Sequence, residues 1–139
     1  MNDSFEGRRA GRQAVAIALL CLFGREAFAI TAREAGENLL YFEHARLGSE
    51  VCEREGTPVR AAYEAWLARN NVLLRTSVET LRSAVAAPEG GLSASEQADV
   101  VAQAVQSITT SAQEHITSHG VQCQRFPELL KMYSDLLKR

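Results

Sequence analysis

Val51-Cys52-Glu53-Arg54-Glu55-Gly56-Thr57-Pro58-Val59 decides how this chain folds. Gly56 ends a helix on its N-terminal side. Thr57-Pro58, a capping residue followed by proline in a first turn, opens another on its C-terminal side. So short a connection makes the two helices antiparallel neighbours. Cys52 stands in the last turn of the first of them, one of three cysteines in the chain.

Upstream, the first helix reads from about Ala32 to Glu55. Leu40, Leu47 and Val51 lie on one line and Leu39, Phe42, Ala45 and Cys52 on the next, the period of a buried stripe. Downstream, Val59, Tyr63, Trp66, Leu73, Leu74, Leu81 and Val85 step by three and four until Pro88-Glu89-Gly90-Gly91 breaks the pattern. That second helix is roughly 29 residues, about 43 Å long. Ser93-Ala94-Ser95-Glu96 is a capping-box pattern for a third helix. Its inward positions are Ala98, Val101, Val105, Ile108, Ala112 and Ile116, and Gly120 ends it. A short fourth helix starts near Phe126-Pro127 and carries Leu129, Leu130, Tyr133, Leu136 and Leu137.

The expected fold is therefore all-α, an antiparallel up-down four-helix bundle. Its topology places the end of the first helix and the start of the fourth at one pole, because two full-length helices intervene. Cys52 and Cys123 both fall there, and we expect a disulfide between them. The 46% hydrophobic content is enough for one core, and the scarcity of aromatics, 6%, with abundant alanine favours helices over sheets.

The first 29 residues read as a signal peptide and residues 30–139 as the helical bundle domain. Arg8, Arg9 and Arg12 precede the uncharged apolar run Ala14–Gly24, and Ala27-Phe28-Ala29 is a small-x-small cleavage site before Ile30. That run is too short for a bilayer core, which needs about 20 residues. Leu20 directly before Cys21 is a poor fit to a lipidation site. Cleavage removes Cys21 and leaves two cysteines, the even number expected of a chain that enters an oxidising compartment. A periplasmic or secreted location follows. A net charge of −2 argues against nucleic acid as a partner, and no stable membrane insertion is expected after processing.

Three histidines offer the one candidate metal set. His115 and His119 share a helix face at i and i+4, and His44 on the first helix stands at a similar height above the cysteine pole. The segment reads His115-Ile116-Thr117-Ser118-His119, without the glutamate of a zinc-protease helix. Two histidines near a helix C-terminus are also what dipole stabilisation produces. Glu50, Glu53 and Glu55 lie among Arg46, Arg54 and Arg60, which describes a solvated face. No phosphate loop, nucleophile elbow or free Cys/His pair is present, so no catalytic residue and no cofactor is assigned.

Trp66, with Asn70 one turn later, reads first as core and alternatively as part of a partner groove. The third helix presents Gln103, Gln106 and Thr110 on a polar, sparsely charged face suited to a partner protein. The reading of function is a small exported, non-enzymatic helical protein that binds or inhibits another protein. The alternatives are a metal-handling or enzyme-accessory domain using His44, His115 and His119, and a cytosolic helical scaffold with an uncleaved N-terminus.

Overall fold

The computed structural model describes residues 29–86 and 91–139. The expected signal segment up to Phe28, including Cys21, and the Pro88-Glu89-Gly90 breaker lie outside the described residues. Four helices follow in order: α1 (Ala32–Arg54), α2 (Arg60–Ala86), α3 (Ala94–His119) and, after a 3-10 turn at Cys123–Arg125, α4 (Phe126–Leu136). There is no strand among the described residues, and none of their helices is long and apolar enough to cross a membrane.

The link that opens the sequence argument folds as a linked set of caps. Gly56 adopts φ +84°, its N–H donates to the Glu53 carbonyl at 3.1 Å, and the Thr57 N–H donates to the Cys52 carbonyl at 2.9 Å. These two bonds satisfy carbonyls that the end of α1 leaves orphaned, the Schellman arrangement. The start of α2 differs from expectation. Its first helical residue is Arg60, and the cap comes from across the link, not from Thr57. The Glu53 carboxylate accepts from the N–H groups of Val59 (2.7 Å) and Arg60 (2.6 Å), which holds its pKa below the ordinary glutamate value. Glu53 is thus a structural cap and not simply part of a solvated charged face. Arg46 is likewise engaged, with Nε 2.9 Å from Glu43 and Nη1 2.6 Å from Glu50. The expected capping box at α3 is present, with the Ser93 N–H donating to Glu96 at 2.8 Å and the Glu96 N–H to Ser93 Oγ at 3.3 Å. A second box, Thr31 with Glu34, starts α1.

Cys52 and Cys123 form a disulfide with Cα atoms 5.3 Å apart, which fixes the end of α1 to the start of α4. The main core gathers around that pole: Phe42, Ala45, Val59, Trp66, Phe126, Leu130, Tyr133 and Leu137. Leu47, Ala112 and Ile116 form a smaller cluster where α3 lies on α1.

Two features depart from a regular bundle. First, α1 is central, packing against α2, α3 and α4, so its buried residues are not one stripe: Ala35, Asn38, Phe42, Ala45, Leu47, Gly48, Ser49 and Cys52 surround much of its circumference. Small residues permit this closeness. A methyl group placed on Gly48 would stand 3.2 Å from the Phe126 ring. Second, α3 and α4 do not pack on each other. Between Ala94 and Ser111 α3 has no buried residue, and Val105, expected to face inward, is 49% exposed. The cause is the length of α4. At 11 residues, about 16 Å, it covers only the cysteine-proximal half of the bundle and leaves the first half of α3 without a fourth helix beside it.

Candidate functional site

Because α3 and α4 stand apart, a cleft of about 640 Å³ opens between them, with α1 as its floor. Tyr41 and His44 project from the floor, His115, Ile116 and His119 from the α3 wall, and Leu129, Met132, Tyr133 and Leu136 from the α4 wall, with Arg125 and Glu128 towards the cysteine pole. The volume is in the range that holds a ligand or several partner side chains. The α4 wall keeps apolar surface open to solvent, with Met132 47% and Leu136 38% exposed.

The three histidines meet inside this cleft. The His44 and His115 ring centres are 4.9 Å apart and those of His115 and His119 4.4 Å, forming one column of imidazoles that continues to Tyr133, 6.1 Å from His44. His119 Nδ1 lies 3.1 Å from the His115 carbonyl oxygen, so the neutral ring that donates there carries its lone pair on Nε2. His44 is half-buried, and its Nε2 is enclosed without a hydrogen-bond partner. Burial first, and the neighbouring His115 second, push its pKa below the usual histidine value and keep its ring neutral. Burial raises the Tyr133 phenol in the same way. Among the described residues no three His, Cys, Asp or Glu side chains are already grouped to hold a metal ion.

The residues read as a partner groove are not brought together. Trp66 is 1% exposed in the core, its ring centre 5.1 Å from that of Phe42 with the two planes tilted by 51°, and its Nε1–H donates to Ser134 Oγ at 2.8 Å. Asn70 is buried beside it, and its Nδ2 donates to the Trp66 carbonyl at 2.9 Å. This is the core arrangement, set by the need to satisfy an indole N–H and an amide taken out of water. Gln103, Gln106 and Thr110 are exposed on α3, where Gln106 reaches Thr110 at 3.5 Å; they do not share a surface with Trp66 through any groove lining.

Sequence reasoning missed the α4 wall. Its signal was nevertheless present: α4 carries two apolar lines, Phe126, Leu130, Tyr133 and Leu137, which are buried, and Leu129, Met132 and Leu136, which face the cleft. A helix packed on one side needs only the first. Comparison with protein-family models, with curated proteins and with solved structures returned no match.

Proposed function

We propose that this is a small exported protein without catalytic activity that binds another protein by accepting an apolar segment of it into the cleft between α1, α3 and α4. The observation carrying this reading is the separation of α3 from α4, which leaves Leu129, Met132 and Leu136 lining an open cavity instead of a closed core. An apolar wall beside polar and charged residues, here Arg125 and Glu128, is the composition of a binding groove. Export is supported by the disulfide, a bond that persists in oxidising compartments.

Two measurements test the reading. Intact mass of the chain from its host separates compartments: loss of residues 1–29 with an oxidised cysteine pair supports export, and a full-length reduced chain supports the cytosolic scaffold instead. A photo-crosslinking residue at Met132 is expected to capture one defined partner. The same residue at Val72, 70% exposed on α2 and away from the cleft, is expected to capture none. Equal capture from both positions, or from neither, overturns the cleft as the binding surface.

A further inference from the structure

His44 and His119 lie on either side of His115, with ring centres 4.9 and 4.4 Å from it, so three imidazoles from two helices form one stack along the floor and the α3 wall of the cleft. Rings stacked in this way do not converge on one ion, and among the described residues no metal-binding group forms. We propose that the stack is a pH-sensitive latch: closed while its rings are neutral, when the cleft holds an apolar guest, and opened by protonation below about pH 6, when His115 swings out and the guest is released. The inference rests on the cleft being the apolar binding surface, and it adds the regulation of that surface.

Histidine is the side chain whose charge changes in this range, and like charges on adjacent stacked rings repel. The position of each ring decides which one moves. His44 is half-buried, with His115 on one side and the Tyr133 ring centre 6.1 Å away. His119 is tied by its Nδ1 to the His115 carbonyl at 3.1 Å. His115 is exposed, has an imidazole on each side, and is free to rotate into water. Its departure opens the face of His44, whose Nε2 the closed stack encloses without a hydrogen-bond partner. Water then supplies the partner that a buried polar atom lacks.

The surrounding charges leave the incoming protons uncompensated. On α1, Glu43 is next to His44 in sequence, but its carboxylate accepts from Arg46 Nε at 2.9 Å, and Tyr41 offers only a phenol. The facing groups on α3 are His115 and His119. Those on α4 are Tyr133 and Glu128, with Arg125 from the turn before it. Arg125 and Glu128 carry opposite signs, and among the described residues neither makes an ion pair with a histidine. No residue of α2 lines the cleft. Burial, and after it His115, therefore outweigh the opposing pull of Glu43 and keep the His44 ring neutral while the stack is closed.

A guest on the apolar wall of Leu129, Met132 and Leu136 covers the column opposite, and covering an imidazolium costs far more than covering a neutral ring. Guest and proton therefore exclude each other. For each imidazole that must be neutral for binding, affinity falls about tenfold per pH unit below the pKa of that ring in the free chain.

The test uses the disulfide-oxidised chain as purified from its host, labelled in histidine, with Nile red, an uncharged apolar dye, as the probe. By nuclear magnetic resonance, through-space contacts of the His115 ring protons with His44 and His119 are expected at about pH 7.5 and lost by about pH 5.5, with helical circular dichroism unchanged. Over the same interval Nile red affinity is expected to fall at least about tenfold. In His115→Tyr/His119→Tyr, both at exposed positions, the replacement rings stack without taking up protons. The fall in that variant, whatever its starting affinity, is expected to shrink below about threefold, the share left to His44. His115 contacts that persist to about pH 5.5, a Nile red affinity equal at both pH values, or an equal fall in the variant overturns the latch. Loss of helix over the same interval also overturns it, since the opening is then global unfolding. Nile red binding at neither pH overturns instead the cleft as an apolar binding surface, and with it the release step; the ring contacts then decide whether the stack opens.

Discussion

Asn38→Ala is the substitution whose cost the structure defines most sharply. Asn38 is fully buried in α1 and ties three elements together: its Nδ2 donates to Ser77 Oγ on α2 at 3.2 Å and to the Lys138 carbonyl at 2.9 Å, and its Oδ1 accepts the Lys138 N–H at 2.7 Å. Three bonds at about 1 kcal/mol each give about 3 kcal/mol. Truncation also strands the Ser77 hydroxyl, which is fully buried, at about 1–3 kcal/mol, whereas the Lys138 backbone can swing into water and recover its bonds. We expect a net loss of about 2–4 kcal/mol, a large share of a stability of about 5–15 kcal/mol. Urea unfolding measures it, as a lower midpoint with an unchanged slope. Deleting Lys138 and Arg139 is expected to cost less, about 1–2 kcal/mol, because the Ser77 bond survives. In the deleted chain, Asn38→Ala is expected to cost correspondingly less than in the full one, the coupling that a double-mutant cycle reports. A loss under about 1 kcal/mol, or the same loss in both backgrounds, refutes the assignment of these bonds as the anchor of the C-terminus.

Replacing Cys52 and Cys123 together by alanine is expected to destabilise by about 4 kcal/mol on a chain-entropy estimate for their separation of 71 residues, read as a fall in the thermal midpoint under non-reducing conditions. Gly36→Ala, at a helical position with open space around the added methyl, is expected to stabilise by about 0.5–1 kcal/mol. Gly48→Ala is expected to show no such gain, because the methyl presses on the buried Phe126 ring; equal gains at both sites in urea melts would show that the contact is unimportant. Glu34, Glu53 and Glu96 all have pKa values lowered by the backbone or hydroxyl groups they cap: Thr31 for Glu34, Arg60 and Val59 for Glu53, and Ser93 for Glu96. A carboxylate with a depressed folded pKa adds stability that is complete above its unfolded value, about 4.3, and is lost as the pH falls through the folded one. The unfolding midpoint is therefore expected to fall in two stages, first below about pH 6.5, where the unfolded chain takes up the proton that burial keeps off His44, and then below about pH 4.5 as the caps are protonated, with a shallower second fall in Glu34→Gln and Glu96→Gln.

The elements of this fold are legible in the sequence because their signals are local. Gly56, Ser93 with Glu96, and Gly120 act within one turn of where they stand, and the cysteine pole follows from counting helices. The histidine column is legible for a related reason: helical spacing sets the pair on α3, and helix length above the pole sets the height of His44. What the sequence hides is lateral. Nothing in the α1 pattern says that it packs on three partners, because Ala35, Ala45, Gly48 and Ser49 carry too little apolar weight to register as a second stripe. The destination of the Trp66 indole, Ser134, lies 68 residues away, and the tie between Asn38 and Lys138 spans 100; neither is periodic. The cleft is hidden for the same reason, since it follows from α4 choosing α1 and α2 as its neighbours over α3.

The two ties on α4 have a mechanical consequence. The disulfide pins its leading end to α1, and Asn38 pins the residues just beyond its trailing end to the same helix. A short rod bolted at both ends to a central post has little freedom to swing. The opposite jaw is held differently: α3 joins α4 through Gly120, at φ +70°, and its first two turns and more carry no buried side chain. A swing of α3 about its contacts at Ala112 and Ile116 therefore moves its Ala94–Ser111 end most and its cleft wall, which lies at the pivot, least, while α4 serves as the fixed anvil.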